Sequence, residues 1–302
     1  MSTPSEDELF DGVDLDWEHK RDRAFRGLCF LASVLGLVAL AFLIADVIWE
    51  SYRGIVEYDI GIIHFLTSNG SVNPDQAGMY AALIGSIWLI VLAALLTFFV
   101  GVGAAIYLEE YAPDNRWVRL IDANLANLAG VPSVVYGLVC LGLLVNGPLD
   151  TGRIILVGAI SLSLVVLPII IVSSIEALRA VPDSVRNGSY AMGATRWQTV
   201  RRAVLPAAMP SIMTGTILAV ANAWGQTAPL LMVGALASAR HTPQGPFDDI
   251  TALTVTIFDW AFRFQDQFHV LAAMGIVGLL VVLLSMNLIA IYIRNRYEKE
   301  LK

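Results

Sequence analysis

The sequence carries little charge for its length. Only 15% of its 302 residues are Asp, Glu, Lys or Arg, and 57% are hydrophobic. An average soluble domain has about 25% charged residues. The shortage argues against an ordinary soluble protein and indicates long segments that contact lipid. The net charge of −7 also argues against a nucleic-acid partner, because acidic residues crowd the region from Glu6 to Glu18.

Residues that carry chemistry are equally scarce. The two cysteines, Cys29 and Cys140, each lie inside a hydrophobic run, which argues against a disulfide framework or a cysteine metal site. The four histidines are scattered without the spacing of metal ligands. The sequence also lacks a Gly-x-x-x-x-Gly-Lys-Ser/Thr phosphate loop. We therefore expect a chain that is not an enzyme and binds no metal and no cofactor.

The hydrophobic runs predict an all-α polytopic membrane protein with six transmembrane helices. Runs of this length can cross the ~30 Å hydrocarbon core of a bilayer. The expected spans are approximately residues 25–49, 79–108, 131–145, 154–175, 207–236 and 270–293. Residues 111–130 fit either a surface helix or the cytoplasmic start of the third span. An external surface helix is expected at 248–262.

The positive charges predict the orientation of the chain. Four of the 19 Lys and Arg residues fall in the expected external segments, and all others fall on the opposite side. The external four are Arg53, Arg153, Arg240 and Arg263. We expect a multi-pass protein of the cell (plasma or inner) membrane with both termini cytoplasmic. Its parts are an acidic tail (1–23), a first span with an external segment (24–78) and a core of five spans (79–302).

The loop at 179–206 concentrates positive charge between two apolar spans. Its five arginines are Arg179, Arg186, Arg196, Arg201 and Arg202. Such a loop fits a cytoplasmic docking surface for a partner protein. It equally fits an interfacial hairpin whose arginines meet lipid headgroups. The residues alone leave these two alternatives open.

Local signals predict two short helices within this loop. Pro182 and Asp183 suit the first turn of the first helix, and Gly193 ends it. Thr195 is a good N-cap for a second helix over 196–204, which Leu205-Pro206 would end. Trp197, Val200 and Val204 are expected to form one apolar knob.

Several motifs resemble the permease subunits of ABC importers. Residues 193–198 (GATRWQ), followed by Leu205-Pro206, resemble the EAA loop that seats in the ATP-binding subunit of those importers. A wider match, over about residues 80–300, is similar to PstA-type permeases of phosphate importers. The matching motifs are 104–113 (AAIYLEEYAP), 128–137 (LAGVPSVVYG), 176–183 (EALRAVPD) and 225–230 (GQTAPL).

The resemblance implies a MetI-like fold and half of a translocation pathway for inorganic phosphate. It implies a PstC-like second permease, two copies of a PstB-like ATPase that carries ATP and Mg, and an external PstS-like phosphate-binding protein. It also implies a set of residues that couple to the ATPase: Pro182, Asp183, Arg186, Gly193, Ala194, Arg196, Trp197, Leu205 and Pro206.

Polar residues inside spans are candidates for the translocation path. These are Asn222, Gln226, Thr227, Ser174, Arg179 and Glu176. Asn222 and Gln226 are four apart and share a helix face, where they line the path or only lock the fifth span to a neighbour. Arg179 and Glu176 are three apart and are expected to pair, as a gate or as a helix-end salt bridge.

The chain departs from the family pattern in two places. Asn187-Gly188-Ser189 stands where the family has Glu-Ala-Ala or Glu-Ala-Ser. Asn222 and Gln226 stand where an arginine and a glutamate are expected. The second departure leaves two alternatives to phosphate transport: a permease for another oxyanion or a phosphate ester, or a non-transporting regulatory or scaffold subunit.

Overall fold

The computed structural model describes residues 15–236 and 238–300, and over these residues the chain is helical without extended strands. The helices are α1 (Leu15–Val56), α2 (Ile62–Thr67), α3 (Tyr80–Ile106), α4 (Arg116–Ala129), α5 (Ser133–Cys140), α6 (Ile155–Arg179), α7 (Asp183–Ala191), α8 (Arg196–Thr199), α9 (Leu205–Trp224), α10 (Ala228–Val233), α11 (Leu253–Ala261) and α12 (Asp266–Glu300). Three single π-helical turns follow α3, α5 and α8, at Tyr107–Tyr111, Leu141–Val145 and Val200–Val204.

The predicted all-α membrane class is confirmed. Within the described ranges, five helical segments are long and apolar enough to cross a bilayer, or six if one bent pair counts as a single span. The five are His19–Val56, Tyr80–Tyr111, Ile155–Arg179, Arg196–Trp224 and Asp266–Arg296. The bent pair is Arg116–Ala129 with Ser133–Val145, whose axes differ by 102°. Residues 116–129 are therefore a separate helix and not a straight extension of the third span.

The chain divides between Glu50 and Ser51 into two compact units. The first unit contains most of α1, whose hydrophobic side chains are largely exposed. Residues 15–23, which the sequence assigns to the acidic tail, are the first turns of α1. Residues 1–14 lie outside the described residues, so the acidic tail itself stays a prediction.

The second unit is built around α3, α6 and α9. Small residues let these helices approach closely, as is usual for helix packing in membranes. A Cβ added to Gly101 of α3 would lie 2.8 Å from Ile170 of α6. Ser163 of α6 donates a hydrogen bond of 3.4 Å to the carbonyl of Ala93 in α3. The α3–α6 pair thus leaves no room for one helix to slide freely on the other.

A smaller apolar cluster lies around α11. Trp260 and Leu253 of α11 are fully buried and pack with Phe268 of α12 and Phe65 of α2. The prediction of an external surface helix at 248–262 is therefore wrong. The helix is shorter than expected, and six of its nine residues are buried, including the threonines between its aliphatic side chains.

Candidate functional site

The arginine-rich loop folds as two short helices between α6 and α9. Pro182 occupies the N-cap position of α7, and Asp183 is the first helical residue. The helix ends at Ala191, and Gly193 adopts a φ of +82°. L-residues with side chains rarely take that conformation, so the predicted role of Gly193 as the stop between the two helices is confirmed.

The start of the second helix is also as predicted. The Thr195 hydroxyl accepts a hydrogen bond of 3.3 Å from the Gln198 backbone N–H. The Gln198 side chain accepts one of 2.9 Å from the Thr195 backbone N–H. This reciprocal capping box satisfies two donors that a helix start otherwise leaves free.

The predicted end of this helix at Leu205-Pro206 is wrong. Arg196–Trp224 is one continuous helical segment, and Pro206 lies in the first turn of α9. The chain instead widens at Val200–Val204, where the Leu205 N–H bonds the Val200 carbonyl five residues back. A proline ring would collide with the carbonyl four residues earlier in a regular α-helix, and the wider turn just before Pro206 accommodates it.

The apolar knob expected on the second helix divides into two opposite sides. The Trp197 side chain is 57% exposed, whereas Val200 and Val204 are buried in the bundle. The prediction that the three share one exposed face is therefore wrong. The valines anchor the helix to the bundle core, and Trp197 faces away from it.

An exposed apolar and basic surface remains on the open side of the loop. We call it the loop face: Tyr190, Met192, Trp197, Arg201 and Arg202, all exposed. A groove of about 580 Å³ lies between α7 and α8 and includes Gly188, Met192, Ala194 and Arg202 in its lining. Aromatic, methionine and arginine side chains beside a groove are typical of protein-binding surfaces.

Arg186, which was expected at the docking surface, points into the bundle instead. Its side chain is 16% exposed and pairs at 2.9 Å with Glu110, which is 6% exposed. The guanidinium also donates to the carbonyls of Val181 and Leu178, at 2.6 and 2.9 Å. Arg186 thus positions α7 on the ends of α3 and α6.

The expected pair between Arg179 and Glu176 is wrong. Arg179 lies 2.8 Å from Glu109 and 3.6 Å from Asp122 of α4. Glu176 is exposed, and in the described part of the chain it forms no ion pair. Arg179 therefore links three helices rather than closing a local pair on α6.

The six residues expected on a translocation path do not form one site. Asn222 and Gln226 do lie together, with an amide nitrogen 3.5 Å from an amide oxygen. They do not share a helix face as expected, because α9 ends at Trp224 and Gln226 lies in the break before α10, whose N-cap is Thr227. Ser174 is fully buried, and its hydroxyl has no partner among the described residues. Asn222 lies about 25 Å along α9 from the loop, at 1.5 Å per residue, whereas Glu176 and Arg179 lie at the loop end.

Sequence reasoning missed the partners of the arginines. Three successive residues after α3, Glu109, Glu110 and Tyr111, contact three arginines of the loop region. The available signal was the Glu109-Glu110 pair at the end of an apolar span. Adjacent acids are expensive at a membrane boundary, so they imply cationic partners nearby.

Comparison with known proteins identifies the class. The family model described as "Binding-protein-dependent transport system inner membrane component" matches residues 101–299. The chain therefore belongs to this family, and it is the membrane-spanning permease subunit of an ABC importer. It is a transport subunit, and ATP hydrolysis belongs to a separate subunit of such importers.

Individual permease proteins are similar to this chain over most of its length. The chain is 34% identical to the probable ABC transporter permease protein YqgH of Bacillus subtilis, over 75% of this chain and 76% of that protein. It is 33% identical to the phosphate transport system permease protein PstA of Mycobacterium leprae, over 68% and 66% of the two chains. PstA of Haemophilus influenzae is 28% identical over 90% of this chain and 93% of its own length.

A solved structure supports the fold. A chain of the inward-facing MetNI methionine ABC transporter superposes with a TM-score of 0.55 over 74% of this chain and 97% of its own, at 17% identity. The expected MetI-like fold is thereby confirmed. An importer of this class implies an ATPase, a substrate-binding protein and a second permease.

Proposed function

We propose that this permease forms half of a pathway that moves inorganic phosphate inward, driven by ATP hydrolysis on a partner subunit. Phosphate is supported by similarity to relatives that are named phosphate transport permeases. We also propose that ATP and Mg belong to that partner and that this chain binds neither. The specific partners would be a PstC-like permease, two PstB-like ATPase subunits and a PstS-like phosphate-binding protein.

The observation that carries the coupling role is the loop face between α6 and α9. It exposes Met192 and Trp197 beside arginines and a groove, while buried valines and a buried ion pair fix its inner side. A rigid seat with an exposed aromatic anchor suits contact with a partner protein. We propose that the ATPase docks on this face, and that Gly193, Ala194, Arg196 and Trp197 contribute to the docked geometry.

The charge distribution supports a cytoplasmic loop and cytoplasmic termini in the cell membrane. The loop holds five arginines, whereas Arg53 and Arg263, in the segments we assign outside, are each paired with a nearby acid. Positive residues are retained on the cytoplasmic side of membrane proteins. A protease protection assay on sealed vesicles would test this orientation.

The cargo is tested by uptake of radiolabelled phosphate into vesicles that hold all subunits, with and without ATP. We expect ATP-dependent accumulation that requires the external binding protein. Absence of uptake from a complex that still hydrolyses ATP in response to its binding protein would reject phosphate as the cargo. Strong native uptake would also reject a regulatory or scaffold role without transport.

A second cargo class is favoured by the neutral amides near the end of α9. Asn222 and Gln226 can donate hydrogen bonds to an anion without carrying charge. Another oxyanion or a phosphate ester is the alternative they support. Competition binding on the cognate external binding protein separates the cases, because phosphate, sulfate and glycerol phosphate would compete in different orders.

A further inference from the structure

The π-helical turn Tyr107–Tyr111, which we call the 107–111 turn, contacts three arginines of the loop at 179–206. It extends α3 by one widened turn, and such turns often mark functional positions. Three consecutive residues each contact an arginine of a different helix: Glu109 with Arg179 of α6 at 2.8 Å, Glu110 with Arg186 of α7 at 2.9 Å, and the Tyr111 ring with Arg196 of α8 at 5.2 Å.

The contact between Glu110 and Arg186 is the most constrained of the three. Its carboxylate and guanidinium are largely buried, and the Arg186 fork also bonds the carbonyls of Leu178 and Val181. Planar guanidinium groups that satisfy several acceptors hold a fixed orientation. A displacement of α7 must therefore move both the 107–111 turn and the end of α6, or break these bonds together.

The 107–111 turn continues directly from α3, and α3 cannot move independently of α6. α3 is packed on α6 at Gly101 and Ile170, and the two helices share the hydrogen bond from Ser163 to Ala93. Closely packed interiors transmit a displacement rather than absorb it. The route from the loop thus continues through the α3–α6 pair.

We propose that the 107–111 turn receives the motion of the loop and that Glu110 is the positioning residue that carries α7 displacement into α3. Glu109 and Tyr111 hold the flanking segments in register with it. The inference rests on the proposed coupling role of the loop. It assigns the transmission of loop motion to a segment more than 70 residues before α7 in the sequence. This segment acts without itself contacting the ATPase.

The first test follows the motion without reference to the cargo. Hydrogen exchange of the assembled importer, with and without ATP, reports local opening in 183–191 and in 107–111. We expect both segments to respond to ATP in the native complex, and only 183–191 to respond in Glu110→Gln. No response of 107–111 in the native complex, or an unchanged response in the variant, overturns the proposal.

The second test compares phosphate uptake with ATP hydrolysis in vesicles. Glu110→Gln keeps the shape of the side chain and removes its charge. We expect uptake per ATP hydrolysed to fall roughly tenfold, within the range for mutations in a coupling network, while the ATPase subunit stays bound. A purely structural role for Glu110 would instead reduce assembly and hydrolysis in proportion to uptake.

Two further variants guard against misfolding and non-specific effects. Arg186→Lys keeps a cation for Glu110 but replaces the rigid planar fork with a single flexible ammonium, so it should assemble normally and still lower the ratio. Asp259→Asn removes an ion pair of 2.7 Å at the α11 end and should leave the ratio unchanged. A fall of equal size in Asp259→Asn would contradict a specific role for the 107–111 turn.

If phosphate is not the cargo, the two experiments give a different combination of results. Native vesicles would then take up no phosphate, yet the exchange experiment would still show whether 107–111 follows 183–191. The cargo and the transmission route are thereby judged separately.

Discussion

Two ion pairs of similar length occupy opposite ends of the second unit and differ in what surrounds them. Arg186 and Glu110 lie 2.9 Å apart with side chains 16% and 6% exposed. Arg263 and Asp259 lie 2.7 Å apart with side chains 24% and 31% exposed. The first joins two distant segments, whereas the second links neighbours four apart on one stretch. Distance alone therefore does not show which pair organises the molecule.

The two ion pairs should differ most in how much stability is lost when their arginine is replaced by alanine. Arg186→Ala leaves Glu110 buried without its cation, which typically costs about 3–5 kcal/mol. Arg263→Ala leaves a partly hydrated carboxylate and also removes the guanidinium that lies 4.3 Å from the centroid of the Phe268 ring, so it should cost less, about 1–2 kcal/mol. Thermal unfolding in detergent measures both, and equal losses would show that burial does not distinguish the pairs.

The two sides of the second loop helix give the next largest effect. Val200→Ala removes buried methyl groups and should destabilise the chain by about 2 kcal/mol. Trp197→Ala should leave the unfolding temperature unchanged, since its side chain is exposed. The effects on ATPase retention should be reversed: co-purification is expected to fall for Trp197→Ala. Retention of the ATPase by that variant at native levels would remove Trp197 from the proposed docking contact.

Two glycines of the loop allow a matched test of backbone conformation. A Cβ at Gly188 or Gly193 would meet no atom within 4 Å, so space does not separate them. Gly188 lies in α7, and Gly188→Ala should stabilise by about 1 kcal/mol. Gly193 has a φ of +82°, and Gly193→Ala should destabilise by about 1–2 kcal/mol. If both substitutions changed the stability in the same direction, the left-handed conformation of Gly193 would not be what distinguishes the two glycines.

The smallest effect is expected at Glu57, which pairs with Arg53 at 2.8 Å. A hydrogen bond from Arg53 lowers the pKa of the Glu57 carboxyl below its ordinary value. The contact therefore stabilises the native state above the ordinary pKa of glutamate, and the gain is lost as pH falls through the lowered value. Because the carboxyl is exposed, solvent screens it. Glu57→Gln should leave the unfolding temperature unchanged at neutral pH and in mild acid, and a clear drop at neutral pH alone would contradict this.

Much of the loop could be predicted because its signals are local. Thr195 with Gln198 and the glycine at 193 each act through their own backbone within a few residues. The end at Leu205-Pro206 could not be predicted in the same way. Proline marks a disturbance of the helix but does not say whether the chain stops or widens, and the structure shows a π turn at Val200–Val204 with both valines buried in the bundle.

The candidate path residues show the same limit. The spacing of Asn222 and Gln226 predicts a shared helix face, but α9 ends at Trp224, so Gln226 lies beyond the helix and approaches Asn222 only because the chain bends there. The spacing of Arg179 and Glu176 made an equally good local pair, yet Arg179 contacts Glu109 and Asp122. A local rule offers one candidate partner, and a long side chain at a helix end can reach several others.

The sequence by itself determined that the chain is helical and built for a membrane, where its loop lies and how that loop turns. Hydrophobic run length and turn chemistry are properties of neighbouring residues, so no fold is needed to read them. Only the tertiary structure decided that Arg186 faces inward and that Trp197 faces outward from Val200. It alone placed Glu109, Glu110 and Tyr111 against three arginines 70 or more positions away, because contacts between distant segments depend on how α3 and α6 pack.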